Sequence, residues 1–205
     1  GSFEVIKNNA TGQEKHILYI GGTPYESNIV YLKDFTESSG SYKFLHKDYI
    51  GSILAISDEA GNKLEQRHFD AWGGLAAVAF GNNGAVITDK NVINNSSLLL
   101  DRGYTSHEHF AEVGIIHMNG RLYDPLLRRF LNADENIQDP TNTQNYNKYG
   151  YVMNNPLMYN DPSGEFLFAP FIALISKAVF SAILSSAILY TATGLIKGDW
   201  NVNGF

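Results

Sequence analysis

From residue 3 to residue 80 the apolar positions fall into short runs, each of strand length and each ended by a turn-forming cluster. His16-Ile17-Leu18-Tyr19-Ile20 stops at Gly21-Gly22, and Ser38-Ser39-Gly40 separates Ile29-Val30-Tyr31-Leu32 from Tyr42-Lys43-Phe44-Leu45. Ser52 to Ser57 and Lys63 to Phe69 flank Asp58-Glu59-Ala60-Gly61-Asn62. Two strand-length runs joined by a short glycine-containing loop predict a β-hairpin. Such strands bury one face, and successive hairpins do so by stacking on their neighbours. Residues 81–100 are polar and turn-rich, which predicts a surface loop with at most a short strand at Ala85-Val86-Ile87. Residues 101–165 carry little helical periodicity. Proline follows Asp124, Asp139, Asn155 and Asp161, and the residue before a proline is pushed out of the helical region, so turns and short strands are expected there.

At Phe166 the pattern changes. From there to Ile196 the one formal charge is Lys177, with no hairpin punctuation. The run predicts one or two apolar helices, and Pro170 to Ile196 is long enough to cross a bilayer. The expected fold class is therefore mainly β, a series of hairpins followed by a hydrophobic α-helical tail.

Composition narrows the function. The net charge of −6, with no long Lys/Arg cluster, argues against a nucleic-acid partner. The absence of cysteine excludes a disulfide framework, a thiolate metal site and a cysteine nucleophile. Twelve Tyr, 12 Phe and 19 Gly favour strands and tight turns. No signal peptide precedes Phe3-Glu4-Val5-Ile6, which opens in mid-pattern as expected of a piece of a longer protein.

Five blocks carry a resemblance. His46-Lys47-Asp48-Tyr49-Ile50-Gly51-Ser52, then Asp58 to Gly61, then Phe69-Asp70-Ala71-Trp72-Gly73 is similar to the H-x-D-x-x-G-S … D-x-x-G … Y-D-x-W-G hairpin of Rhs repeats. Gly103 to His109, Gly114 to His117 and Arg121-Leu122-Tyr123-Asp124-Pro125 resemble the block that ends in R-x-Y-D-P. Arg128-Arg129-Phe130 through Asp134 resembles G-R-F-x-x-x-D, with Arg128 in place of the glycine. Asn147 to Val152 with Asn154-Asn155-Pro156, and then Asp161-Pro162-Ser163-Gly164, resemble the family's Y-x-Y-x-x-N-N-P … D-P-x-G ending. In order over residues 46–164, these blocks resemble the C-terminal end of the core of a bacterial Rhs/YD-repeat protein.

The resemblance implies a spiral of β-hairpins over 3–100 and a plug-like core segment over 101–165 ending in the D-P-S-G motif. A hydrophobic pre-toxin helical segment over 166–205 would follow. It implies a structural role, closing a shell around a C-terminal toxin, with the upstream repeats and the downstream toxin of the same polypeptide as partners. A secreted or cell-surface bacterial location goes with it. Many members cut themselves just after D-P-x-G-L with a pair of aspartates. Matched here, these are Asp134 and Asp161, with Arg129 as the neighbouring cation and the cut between Glu165 and Phe166. Glu165 stands where the family has Leu, and an apolar pocket would have to desolvate its carboxylate at a cost of about a few kcal/mol. The bland alternative is that both aspartates cap turns. A different class of function is an uncleaved secreted or surface binding module, displaying loops such as 81–100 and anchored through membrane contact by residues 170–196.

Other constellations point to structure rather than chemistry, and no metal or cofactor is expected. His107, Glu108, His109 and His117 have a ligand-like spacing, but they fall in a hairpin block. Asp48, Asp58 and Asp70 lack calcium-loop spacing and read as turn residues. Ser106-His107-Glu108 has no nucleophile elbow. The tyrosines of 146–159 read as sheet packing.

Overall fold

The structure, a computed structural model, describes residues 2–8, 11–135, 137 and 141–165. The expected helical tail, its membrane contact and Phe166 lie outside these residues. Seven strands, β1 (Phe3–Lys7), β2 (Glu14–Ile20), β3 (Ile29–Asp34), β4 (Ser41–Lys47), β5 (Ile53–Ser57), β6 (Lys63–Phe69) and β7 (Leu75–Phe80), form one antiparallel sheet in chain order. The period-two pattern sets which face is buried. Ile17, Tyr19, Val30, Leu32, Leu45, Ile53 and Ile56 point inward and Leu100 packs onto them. Four further strands, β8 (Glu108–Phe110), β9 (Ile115–Met118), β10 (Arg121–Asp124) and β11 (Arg129–Phe130), form a second antiparallel sheet in the order β11-β10-β9-β8.

The second core is aromatic. Tyr104, Tyr123, Phe130 and Tyr151 are buried together with Ile116 and Met118, and Ile50 and Trp72 from turns of the first sheet and Phe69 from the end of β6 pack among them. The Tyr123 hydroxyl donates to the Trp72 carbonyl at 2.9 Å, which ties the two sheets at this core. Packing of the 146–159 tyrosines holds only for Tyr151 and Tyr159, because Tyr146 and Tyr149 stand exposed.

Residues 81–100 are not simply a surface loop. They carry a helical turn, α1 (Lys90–Asn94), capped by Asp89, and an isolated bridge joins Ile87 to Val78. Ile93 and Leu100 are buried. The reason lies in β6, where Glu65 and Arg67 occupy inward, buried positions and pair with each other. Glu65 Oε2 accepts the Leu99 N–H at 2.9 Å, and Arg67 donates to the carbonyls of Leu100 and Arg102. A buried ion pair is tolerable when its remaining hydrogen-bonding positions are filled, and here the chain at 99–102 fills them.

One turn recurs. At Asp48, Asp58 and Asp70 the carboxylate Oδ1 accepts the backbone N–H groups two and four residues on, at 2.7–3.1 Å. The glycine three residues on has a positive φ, +92° at Gly51, +82° at Gly61 and +88° at Gly73. The three D-x-x-G segments are thus hairpin loops of one design, with the aspartate closing the loop and the glycine reversing it.

Candidate functional site

Asp161-Pro162-Ser163-Gly164 repeats that design at the end of the described residues. Gly164 has φ +73°, and Asp161 Oδ1 accepts the Glu165 N–H at 3.1 Å and the Ser163 hydroxyl at 3.2 Å. A Cβ on Gly164 would lie 1.8 Å from the Met118 carbonyl oxygen, so no other residue fits. The second oxygen of Asp161 is spoken for as well. It meets Arg121 Nη2 at 3.3 Å, while Arg121 Nη1 meets Asp134 Oδ2 at 3.2 Å.

Arg121 is the centre of this site. β10 alternates, with Arg121 and Tyr123 inward, and the guanidinium stacks on the Phe130 ring at 3.6 Å from its centroid. Its Nε donates to the Gly164 carbonyl and its Nη1 to that of Lys148 at 3.3 Å. Asp134 is placed by its own N–H, which donates to the same Lys148 carbonyl at 2.8 Å. The side chains of Arg121, Asp134 and Asp161 are only 7%, 11% and 3% exposed, so the attractions are poorly screened by water. Asp134 and Asp161 also line a polar cavity of about 40 Å³ with Asn145, Asn147 and Asn154. That volume suffices for a water molecule with several polar partners.

Asp134 and Asp161, 27 residues apart in sequence, are therefore brought to one guanidinium, and Gly164 and Pro162 belong to the same assembly. The cation is not Arg129. On β11 Phe130 is inward, which turns Arg129 outward into solvent. The alternation could have shown this, since Arg121 shares a face with buried Tyr123 while Arg129 is the neighbour of buried Phe130. Asp124 caps the turn after β10, accepting the N–H groups of Leu126 and Leu127, with Pro125 between. Asn155 and Pro156 lie near the aromatic core, where the Pro156 carbonyl is 3.5 Å from the Tyr104 hydroxyl. Glu165 is exposed, and the described residues enclose its side chain in no apolar pocket. The histidines part company. His107 bonds Thr105 at 2.7 Å and packs edge-on against Tyr25, His109 accepts the Tyr104 N–H at 2.9 Å, and His117 packs at a tilt against Phe110.

No family model matches the chain. In sequence it is 28% identical over 151 residues to the tRNA3(Ser)-specific nuclease WapA of Bacillus spizizenii, an alignment covering 74% of this chain and 6% of that protein. It is likewise 28% identical over 139 residues to the tRNA nuclease WapA of Bacillus subtilis strain 168, covering 68% of this chain and 5% of that one. Its fold is similar to part of TcdB2-TccC3-Cdc42, with a TM-score of 0.59 at 20% identity over 79% of this chain and 7% of that one. The Photorhabdus luminescens Tc holotoxin pore matches with a TM-score of 0.59 at 19% identity, over 80% and 7% of the two chains. The chain thus spans about 6% of the length of the curated relative and resembles, as a mainly β antiparallel fold, a small part of large toxin-related proteins.

Proposed function

We propose that this chain is the closing segment of an Rhs/YD-repeat toxin polypeptide and that it hydrolyses its own backbone after Glu165 with Asp134 and Asp161. In this reading residues 3–100 continue a spiral of hairpins and residues 101–165 form the plug of a shell around a toxin. Residues 166–205 lead toward that toxin, and the whole protein acts outside the cell that makes it. The observation that carries the proposal is the convergence of both carboxylates and the Gly164 carbonyl on Arg121, beside a cavity with room for water. Two carboxylates face one guanidinium in a mostly buried place, and in this reading the pair shares one proton. The trio then holds a carboxylate that can take a proton and a carboxyl that can give one. Water oxygen bonds to the Glu165 carbonyl carbon as its proton passes to the base. The carbon–nitrogen bond to Phe166 breaks as the acid protonates that nitrogen, and the new α-carboxyl of Glu165 passes its remaining proton to the Phe166 amine, leaving a carboxylate and an ammonium.

A second reading has an observation of its own, because Asp161 repeats the capping of Asp48, Asp58 and Asp70. In it the trio only fastens the end of the β-domain and the chain stays whole, as in an uncleaved binding module. Mass spectrometry of freshly purified protein separates the two. Cleavage predicts a product of residues 1–165 and a peptide starting at Phe166, both abolished by Asp134→Asn and by Asp161→Asn. Arg121→Ala stops the cut, whereas Arg129→Ala leaves its rate within about twofold, since that side chain faces solvent. An intact wild-type chain, both alone and in the full-length protein, leaves only the fastener.

A further inference from the structure

The two residues of the β9–β10 turn and the first residue of β10 grip three successive carbonyls of the D-P-S-G segment. Asn119 Nδ2 donates to the Pro162 carbonyl at 2.6 Å, the Gly120 N–H to that of Ser163 at 2.9 Å, and Arg121 Nε to that of Gly164. All three contacts read backbone, so they place the chain before Glu165 without regard to side chains. What lies beneath the Glu165 side chain is Gly120. A Cβ on Gly120 would sit 2.7 Å from Glu165 Cγ, 2.9 Å from Oε1 and 3.1 Å from Cδ, and these three are its nearest contacts. Gly120 differs in this from Gly164, which backbone collision and a left-handed φ both demand. Gly120 is not among the left-handed glycines, and the nearest atoms its missing side chain makes room for all belong to Glu165.

We propose that Gly120 is a positioning residue that selects the side chain accepted at position 165, with residues 119–121 as the cradle that presents the bond to the two aspartates. The inference rests on the cleavage reading. The seat takes a side chain of four or five heavy atoms laid over a glycine at an exposed position, which admits polar and apolar residues alike. It therefore fits Glu165 where an enclosed apolar pocket would refuse it.

A double-substitution cycle tests the seat in the 205-residue chain, with cleavage half-time and thermal midpoint read on every variant. Gly120→Val, which pushes the Glu165 side chain away, is expected to slow the cut at least tenfold, and Gly120→Ala less. Glu165→Gly in the Gly120→Val background removes the colliding side chain and is expected to restore the rate to within threefold of Glu165→Gly alone. Glu165→Leu is expected to cut within threefold of wild type. A cut that Gly120→Val does not slow, or a loss that Glu165→Gly does not rescue, overturns the proposal and makes Gly120 a turn residue only. Should Gly120→Val fail to fold, the Gly120→Ala pair gives the same cycle. If wild type and all variants stay whole, the cleavage reading has failed and the seat is judged on the midpoints. Coupling between positions 120 and 165 then supports it, and simple additivity refutes it.

Discussion

Arg128 occupies a backbone conformation that its side chain resists. Its φ is +60°, in the region that costs a residue with a Cβ about 1 kcal/mol or more. The guanidinium lies over the Trp72 ring at 5.5 Å, a contact worth about 0.5 kcal/mol at an exposed site. The two terms nearly offset, with the backbone term larger. Arg128→Gly is therefore expected to raise stability to urea by roughly 0.5 kcal/mol, a balance of the same two terms. Arg128→Ala keeps the strain, loses the ring contact and is expected to lower stability. The G-R-F motif that this segment resembles has glycine at this position, a residue that a left-handed φ does not strain. A sequence shows the departure from the pattern, but only the dihedral shows that it carries strain.

The repeated unit at the scale of elements is the D-x-x-G turn, and its glycines are not equivalent. Gly61 has φ +82° with nothing within 4 Å of a would-be Cβ, so alanine there suffers backbone strain alone. Gly73 has φ +88° and its Cβ would meet Tyr104 Cδ1 at 2.5 Å, inside the aromatic core. Gly61→Ala is expected to cost about 1 kcal/mol and Gly73→Ala about 3 kcal/mol or more in denaturant unfolding, the difference being overpacking. Equal losses would mean that Tyr104 can move aside. These turns were legible in the sequence because each is completed within five residues. The burial of Leu100 was not, because it depends on Glu65 and Arg67 some 35 positions earlier, charged residues that a hydropathy pattern assigns to the outside.

At the scale of the whole molecule, two histidines sit where the sheets meet, His107 buried and His109 partly so. His107 packs on Tyr25, bonds Thr105 and lies 3.4 Å from the Pro162 carbonyl, and His109 packs at a tilt against Phe69 while accepting the Tyr104 N–H. Burial first, then nearby Arg102 and His117 for His107 and Arg67 and His107 for His109, pull both down to about 3 from an ordinary 6.5. The folded state then binds fewer protons than the unfolded one. Its stability is complete above about pH 6.5 and falls as pH drops toward 3, at up to about 1.4 kcal/mol per pH unit for each histidine. Asp101, which burial pushes up, works in the opposite sense at the acid end of that range. The urea midpoint is expected to fall steadily from pH 6.5 to pH 4.5. A flat profile over that interval would show that the histidines are solvated or charged in the native protein.

What the sequence determined by itself was local. Alternation placed β2 to β6, and Asp and Gly three apart placed their turns, since the interactions that decide these features act within a few residues or along one strand. It also named Asp134 and Asp161, through motifs rather than through any visible proximity. The tertiary structure decided what stands around them. It chose Arg121 over Arg129, because the side of a strand on which a charge emerges is fixed by which neighbours are buried. It set Glu165 in solvent above Gly120, residues 45 positions apart, because the D-P-S-G turn docks on the β9–β10 turn through backbone hydrogen bonds. The acceptors are the backbone carbonyls of residues 162–164, which leave no trace in side-chain identity, and so nothing in those residues announced that Asn119, Gly120 and Arg121 would meet them.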